Sequence, residues 1–146
     1  MTPDLYEFIT EVRQTFTDNL NTFLVSKGMS EVNLLFSGLK ISKKPRSLAV
    51  YPTSASGSTT GEESDSSIFR FTVDFYCNAS ATENGLTEVE KYYAYIYAFL
   101  TSTCFGEYSS VPDSVLIRMD EQAPFNGCSF LVESRIVTYT DFDDFG

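Results

Sequence analysis

The chain offers carboxylates for chemistry but contains no histidine. Without histidine, Ser-His-Asp and Cys-His nucleophilic sites and histidine-based metal sites are excluded. Asp120 and Glu121 are adjacent, so on an extended chain they point to opposite faces and make a poor pair for acid–base catalysis. Glu62, Glu63 and Asp65 lack the alternating spacing and terminal Glu of a calcium-binding EF-hand loop. We therefore interpret them as solvated acids.

The sequence does not support a phosphate-binding loop or a site on the acidic tail either. Gly57 and Gly61 lack the trailing Lys-Ser and the strand-to-helix context of a phosphate-binding loop. The acids of the closing segment, residues 141–146, lie on a tail that cannot hold a preorganised site. We therefore expect a protein that is not an enzyme and uses no metal or cofactor.

Three cysteines are present, at positions 77, 104 and 128, and no two of them form a CxxC motif. We interpret all three as small buried apolar residues in a reducing compartment. The opening residues MTPDLYEF carry acids and lack an apolar run, which does not fit a signal peptide. No run of apolar residues approaches the length of a membrane span.

The clearest element is the stretch IFRFTVDFYCN, residues 68–78. Apolar residues alternate with polar ones there, and aromatic and β-branched types are frequent, which predicts a strand with one buried face. The residues expected on that face are Phe69, Phe71, Val73, Phe75 and Cys77.

Two amphipathic helices are predicted to cover this strand. The first begins with Thr2 as the cap and Pro3 at the first helical position, and Gly28 is expected to end it in a left-handed conformation. Its apolar stripe is Leu5, Ile9, Val12, Phe16, Leu20 and Phe23, widened by Phe8 and Leu24. The second is expected to open after the loop SATENG with Thr87 and Glu90 in a capping box, and it is apolar around most of its circumference.

The remaining elements complete a single α+β domain over residues 1–146. Residues 32–36 predict a short strand, and residues 47–51, SLAVY, predict another that ends at Pro52. Residues 53–67 are rich in Ser, Thr, Gly and acids, which predicts a long mobile loop within an antiparallel hairpin. Two closing strands, residues 114–119 and 128–140, are joined through the turn signal PFNG. We expect a mainly antiparallel sheet of four or five strands flanked by two helices, in the order α-β-β-β-α-β-β.

Charge and aromatic residues suggest surfaces for partners. The net charge is −10, which disfavours nucleic-acid and anionic-membrane binding. The basic group Lys40, Lys43, Lys44 and Arg46 is either a solvated turn or a docking patch for an acidic neighbour. Tyr92 and Tyr95 on the second helix could reach the rim of a neighbouring subunit, and stacking on nucleic-acid bases is the rival interpretation.

The end of the chain suggests a further contact. Both faces of the closing strand are partly apolar, so one end, with Tyr139, is expected to leave the sheet and meet a partner. Phe142 and Phe145 lie in the acidic tail, which is either solvated or a short clip onto a neighbour.

The element order resembles that of the tail terminator, or tail completion, proteins of tailed bacteriophages. The stretches that carry the resemblance span nearly the whole chain; they are PDLYEFITEVRQTF, FRFTVDFYCNA, EVEKYYAYIYAFL and SFLVESRIVTYTDFDD. The resemblance implies a virion protein, made in the host cytoplasm, that forms a ring of about six copies at the tail–head junction. Its partners would be the tail-tube protein and the head connector, and DNA would pass through the acidic lumen without specific binding. The loop 53–67, with Glu62, Glu63 and Asp65, would reach a neighbouring subunit or ring.

Other classes of protein share this general pattern. Other phage neck or tail-joining proteins are one alternative, and an unrelated α+β module is another. The acidic homodimeric chaperones of bacterial secretion systems have a similar element order. They typically end on a third helix, however, whereas this chain ends on a predicted strand and tail.

Overall fold

The computed structural model describes residues 5–36, 46–57, 64–77, 83–105, 111–119 and 127–139. A first helical segment consists of α1, a π-helical turn and α2, and a second helix, α3, follows the third strand. The bounds are α1 Leu5–Thr15, π-turn Phe16–Leu20, α2 Asn21–Ser26, β1 Asn33–Leu35, β2 Arg46–Gly57, β3 Ser64–Cys77, α3 Glu83–Ser102, β4 Ser114–Met119 and β5 Gly127–Tyr139. The predicted order and the α+β class are confirmed; Thr2 and Pro3 lie outside the described residues.

The strands form a five-stranded sheet in the order β1-β2-β3-β5-β4. β1 runs parallel to β2, and the other neighbouring strands are antiparallel. β3 and β5 pair from Ser64 opposite Tyr139 to Tyr76 opposite Gly127. The predicted antiparallel pairs β2–β3 and β4–β5 are therefore present, and residues 68–77 of the stretch IFRFTVDFYCN lie on the central strand of the sheet.

Both helices lie against the same face of β3. The ring of Phe8 in α1 meets Phe69 edge-on with centroids 5.0 Å apart, and Tyr92 of α3 lies 5.1 Å from Phe75. We call this the inner face of the sheet and the opposite one the outer face. The residues of β3 predicted for the buried face are all buried there: Phe69, Phe71, Val73, Phe75 and Cys77.

The first helical segment keeps its buried stripe straight by means of the π-helical turn. Its fully or nearly fully buried residues recur at intervals of four, and they are Phe8, Val12, Phe16, Leu20 and Leu24. In an α-helix each such interval passes a full turn by about 40°, so the stripe would wind away from the sheet. The π-helical turn holds more residues per turn and offsets this drift. Ile9 and Phe23, predicted within the stripe, pack at its flanks instead.

Gly28 ends this segment as predicted, with a φ of +81°. The Gly28 N–H donates to the carbonyl of Val25, and the Met29 N–H donates to that of Leu24. These two bonds form a Schellman motif, in which a left-handed residue satisfies the last free carbonyls of the helix. The chain then turns towards β1, where the Asn21 amide donates to the Val32 carbonyl and accepts from the Val32 N–H.

Pro52 does not end β2, and the prediction that it would was wrong. The strand runs on to Gly57, and its register against β3 shifts between Pro52 and Ser54. A proline, which has no N–H to donate, is tolerated at a strand edge or an irregularity. β1 pairs with β2 only as far as Ala49, so Pro52 lies on such an edge within the described residues.

The predicted loop 53–67 is also shorter than expected, because the strands extend into it from both sides. Residues 53–57 belong to β2, and Ser64 to Ser67 belong to β3. The latter pair with the stretch Ile136 to Tyr139 of β5, which is rich in strand-forming residues. Backbone pairing with a distant strand thus orders a segment whose own composition predicts a loop. Residues 58–63 lie outside the described residues.

Two element boundaries also differ from prediction. α3 begins at Glu83, four residues before the predicted capping box at Thr87, so Asn84 and Gly85 are helical. A carboxylate in the first turn suits the positive end of the helix dipole. β5 does not leave the sheet, since it stays paired with β3 as far as Tyr139 and passes the end of β4.

Candidate functional site

The outer face of the sheet carries a polar network centred on Asp74. The carboxylate of Asp74 accepts a 2.6 Å hydrogen bond from the Tyr51 hydroxyl and another from the Ser129 hydroxyl. These residues lie on β3, β2 and β5, so the network joins three neighbouring strands. The Asp74 carboxylate is thereby occupied by internal donors. Its role is to hold the strands together rather than to act as a free acid or base.

Tyr51→Phe is expected to weaken the loss of stability at alkaline pH. Burial, followed by the hydrogen bond to Asp74, raises the pKa of Tyr51 from 10 to about 12. Because the folded state holds this proton more tightly than the unfolded chain, the contribution to stability is complete below pH 10 and is lost as the pH rises towards 12. Urea unfolding over this pH range should show a flatter decline for Tyr51→Phe than for the wild type.

The matched control for this prediction is Tyr97→Phe, which removes an exposed hydroxyl from α3. That variant should keep the alkaline decline of the wild type. Equal declines in wild type and Tyr51→Phe would show that the Tyr51–Asp74 hydrogen bond does not carry the effect.

Next to this network, Arg70 and Glu133 form an ion pair across β3 and β5, with 2.7 Å between Nε and Oε1. Their side chains are 37% and 42% exposed, so the pair adds little to stability. Leu116 of β4 is 54% exposed and pairs in register with Leu131 of β5. The outer face thus carries internally bonded charged groups and an exposed apolar side chain at Leu116. Such a surface can contact another protein.

Arg46, predicted as part of a docking patch, has an internal partner. Its guanidinium donates two hydrogen bonds to Glu88 of α3, one of them 3.1 Å long, and lies 6.0 Å from the centre of the Tyr92 ring. The hydrogen bonds to Glu88 raise the pKa of Arg46 despite the opposing effect of burial. Arg46 thus fastens the start of β2 to α3. Lys40, Lys43 and Lys44 lie outside the described residues.

Tyr92 is not an interface residue, which corrects the sequence prediction. Its side chain is fully buried, and its hydroxyl donates a 2.8 Å hydrogen bond to the Ser30 carbonyl. Tyr95 is half-buried and packs against the core, whereas Tyr97 is 40% exposed. The tyrosine available to a partner on α3 is therefore Tyr97, which the sequence analysis did not select.

Two of the other predicted contact residues, Asp65 and Tyr139, lie at the same end of the sheet. Asp65 pairs in register with Thr138, next to the pair formed by Ser64 and Tyr139. Asp65 and Tyr139 thus lie on neighbouring strands at the same end. Glu62, Glu63, Phe142 and Phe145 lie outside the described residues.

Two of the three cysteines are buried and offer little reactivity. Cys77 and Cys128 are buried as predicted, and burial raises the pKa of both thiols, so the reactive thiolate is disfavoured. Cys104 is exposed, which corrects the prediction that all three are buried. The described residues contain no group of three or more side chains that could hold a metal ion.

A shallow apolar hollow of about 10 Å³, room for about one water molecule, lies between α1 and β2, with Ile9 and Val12 on one side and Val50 and Phe71 on the other. Pockets for small molecules are typically larger, about 300–1,000 Å³, and carry several convergent polar groups. The hollow therefore does not suggest a substrate site.

In comparisons with known proteins, no family model and no curated protein matched this chain. Among the described residues, no helix combines the length and the apolar character needed to cross a membrane. The proposal that follows therefore rests on the chain's own architecture and surfaces.

Proposed function

We propose that this protein is a tail terminator of a tailed bacteriophage. About six copies would form a closed ring on the last ring of tail-tube protein. The ring would stop growth of the tube and offer its other side to the head connector. The role is structural and non-enzymatic, needs no cofactor or metal, and places the protein at the neck of the virion after synthesis in the host cytoplasm.

The observation that carries this proposal is the element order around a one-sided sheet. The order α-β-β-β-α-β-β matches the one on which the resemblance to tail terminators rests. Every ring contact between a helix and a strand falls on the inner face, as for Phe16 with Phe71 and for Phe75 with Tyr93. The outer face carries polar groups that are hydrogen-bonded to one another, together with the exposed Leu116. A domain built this way is suited to packing against further protein.

An extension of the sheet supports the same role. Near one end, the described residues of the sheet form only three strands: β2 from Ala55 to Gly57, β3 from Ser64 to Phe69 and β5 from Ser134 to Tyr139. We call this part the three-stranded extension. Its inner end carries the ring contact between Phe69 and Phe8 of α1. An arm of this kind could reach a neighbouring subunit or the adjoining ring.

Charge supports the proposal as well. The net charge of −10 would give the ring an acidic character. Acidic walls repel the phosphate backbone, so DNA could pass through the lumen without binding. The exposed carboxylates of the described residues include Glu31 and Glu90, which the structure leaves on the surface.

The test is a tube-growth experiment. Tail-tube protein of the phage that encodes this chain is polymerised with and without the purified protein, and the products are viewed by electron microscopy. A terminator should give shorter tubes with a ring at one end only. Tubes of unchanged length without end rings would contradict the proposal. Capture of unfolded secreted proteins, with no effect on tubes, would instead favour the secretion chaperone.

A further inference from the structure

The three-stranded extension has two edges, β2 and β5, which differ in residue type and in regularity of register. β1 pairs with β2 only to Ala49, and β4 pairs with β5 only to Glu133, so within the described residues both edges lack a neighbouring strand beyond these points. On the β2 side, Pro52 and the register shift that follows it are features that discourage strand addition. The β2 edge is therefore interrupted directly before the extension begins at Ala55.

Within the described strands, the β5 edge carries neither of these features. The segment Ser134–Tyr139 pairs with β3 without a register shift and contains neither proline nor lysine. Its sequence, SRIVTY, is rich in β-branched and aromatic residues, which favour strand pairing. An exposed edge of this kind invites association in a free protein unless something covers it.

The space beside this edge has a defined length. The space ends where β4 begins. There the Asp113 N–H donates a 2.8 Å hydrogen bond to the Glu133 carbonyl, and Ser114 of β4 pairs with Glu133. A strand added to β5 therefore has room only beyond Glu133, alongside Ser134–Tyr139. This slot, about 20 Å long, matches the length of the segment that forms it.

We propose that two copies of the free protein pair by antiparallel addition of β5 to β5, with Val137 of one copy opposite Val137 of the other. A two-fold axis normal to the sheet keeps the inner faces of both copies on the same side. Odd-numbered residues of one copy then lie opposite odd-numbered residues of the other, and even-numbered residues opposite even-numbered ones. Centring on Val137 places Ile136 opposite Thr138. Centring on Ile136 instead would bring Tyr139 opposite Glu133, where β4 already occupies the position.

The charge of the segment also favours this arrangement. Arg135 is the only charged residue of Ser134–Tyr139. In the antiparallel pairing it lies opposite Tyr139 of the other copy, whereas a parallel in-register pairing would place two Arg135 side by side. Like charges directly opposite one another destabilise a sheet, so the antiparallel pair is preferred. The segment is thus complementary to itself.

This pairing goes beyond the proposed ring and rests on separate observations. A two-fold contact uses the same patch on both copies, whereas a ring needs head-to-tail contacts between different patches. The pair therefore belongs to the free protein, and it would open before a copy enters the ring. It covers the β5 edge until assembly.

Variants that introduce a charge at the centre of the pair test the proposal. The wild type should sediment at micromolar concentration with twice the 16.4 kDa mass of one chain. Val137→Lys and Val137→Glu should each sediment as single chains, because like charges then face each other. An equimolar mixture of the two variants should recover the pair. Ser54→Lys, at an exposed position on β2, is the matched control and should remain paired.

Two outcomes would overturn the pairing. One is a wild type that sediments as a single chain, and the other is a Val137→Lys variant that keeps the mass of the wild type. In the first case, hydrogen exchange at amides 134–139 that is slow until residues 141–146 are deleted would show that the chain's own tail fills the slot. Tube capping by Val137→Lys, measured separately, reports on the terminator role alone.

Discussion

Phe16→Ala is expected to lower the free energy of unfolding by about 3–5 kcal/mol. The Phe16 ring is fully buried and lies where three parts of the fold meet. It contacts Phe71 of β3, Phe99 of α3 and Phe105 just after α3, the last with ring centroids 5.3 Å apart. Truncation removes all three contacts and leaves a cavity that none of these elements can close without moving the others.

The loss would be a large share of the stability of a domain this size, since typical free energies of unfolding are about 5–15 kcal/mol. The melting temperature should fall by about 10 °C. Thermal and urea unfolding followed by circular dichroism would measure both quantities. Tyr6→Ala on the same helix is the control, because Tyr6 is 74% exposed and its truncation should cost about 0.5 kcal/mol or less.

A second variant separates the contribution of the aromatic contacts from that of volume. Phe16→Leu retains most of the apolar volume, so its cost should lie well below that of Phe16→Ala. If Phe16→Ala destabilised the protein no more than Tyr6→Ala does, the ring would not hold the helices to the sheet. In that case the role assigned to the π-helical turn, which keeps Phe16 directed at β3, would fail as well.

Elements with a strong local pattern could be predicted from sequence. The alternation in β3 identified its buried face residue by residue. Side chains two residues apart lie on the same face of a strand, so burial of Phe71 and Val73 implies burial of Phe69 and Phe75. Gly28 as the helix end followed equally from local chemistry, because a left-handed residue is needed there. The order of elements required no more than these local signals.

Features that depend on distant pairing could not be predicted. The composition of residues 53–67 indicates a loop, and only the register with Ile136 to Tyr139 of β5 shows that Ser64 to Ser67 form a strand. Likewise, Tyr51, Asp74 and Ser129 come together only because β2 and β5 flank β3 in a particular register. The sequence places Asp74 on the polar face of its strand but contains no signal for its two donors.

The tyrosines of α3 show a different limit. An apolar residue occurs at nearly every position around this helix, so its spacing alone does not determine which side faces the sheet. The structure turns Tyr92 and Phe99 inward and leaves Tyr97 partly exposed. The hydrogen bond from Tyr92 to Ser30 explains how a polar hydroxyl is accommodated in the core.

Exchange of residues 58–63 for alternating Gly and Ser is expected to abolish the joining of heads to tails while leaving folding intact. The ladders of β2 and β3 end at Gly57 and Ser64, so the exchange keeps the chain length between them and alters no described strand pair. It removes both carboxylates, Glu62 and Glu63, and both threonines, Thr59 and Thr60. Under the proposed function, these side chains face the neighbouring ring.

The measurement combines thermal unfolding with complementation of a phage that lacks the gene. The melting temperature should stay within about 1–2 °C of the wild type, because the exchange alters no residue of the described core. Joined particles, counted by electron microscopy, should fall to the background level. Glu31→Ser with Glu90→Ser is the matched control, since it removes two exposed acids from elsewhere on the surface and should leave joining unchanged.

Each result of this exchange separates assembly from folding. A large fall in melting temperature would show that residues 58–63 stabilise the fold. The joining defect would then follow from loss of folded protein and not from loss of a contact. Normal joining would show that this end of the hairpin contacts no partner. A loss of joining in the control variant as well would assign the effect to the net charge of the ring rather than to the hairpin. Loss of joining in the exchanged protein alone, at unchanged stability, requires a specific contact made by these six residues.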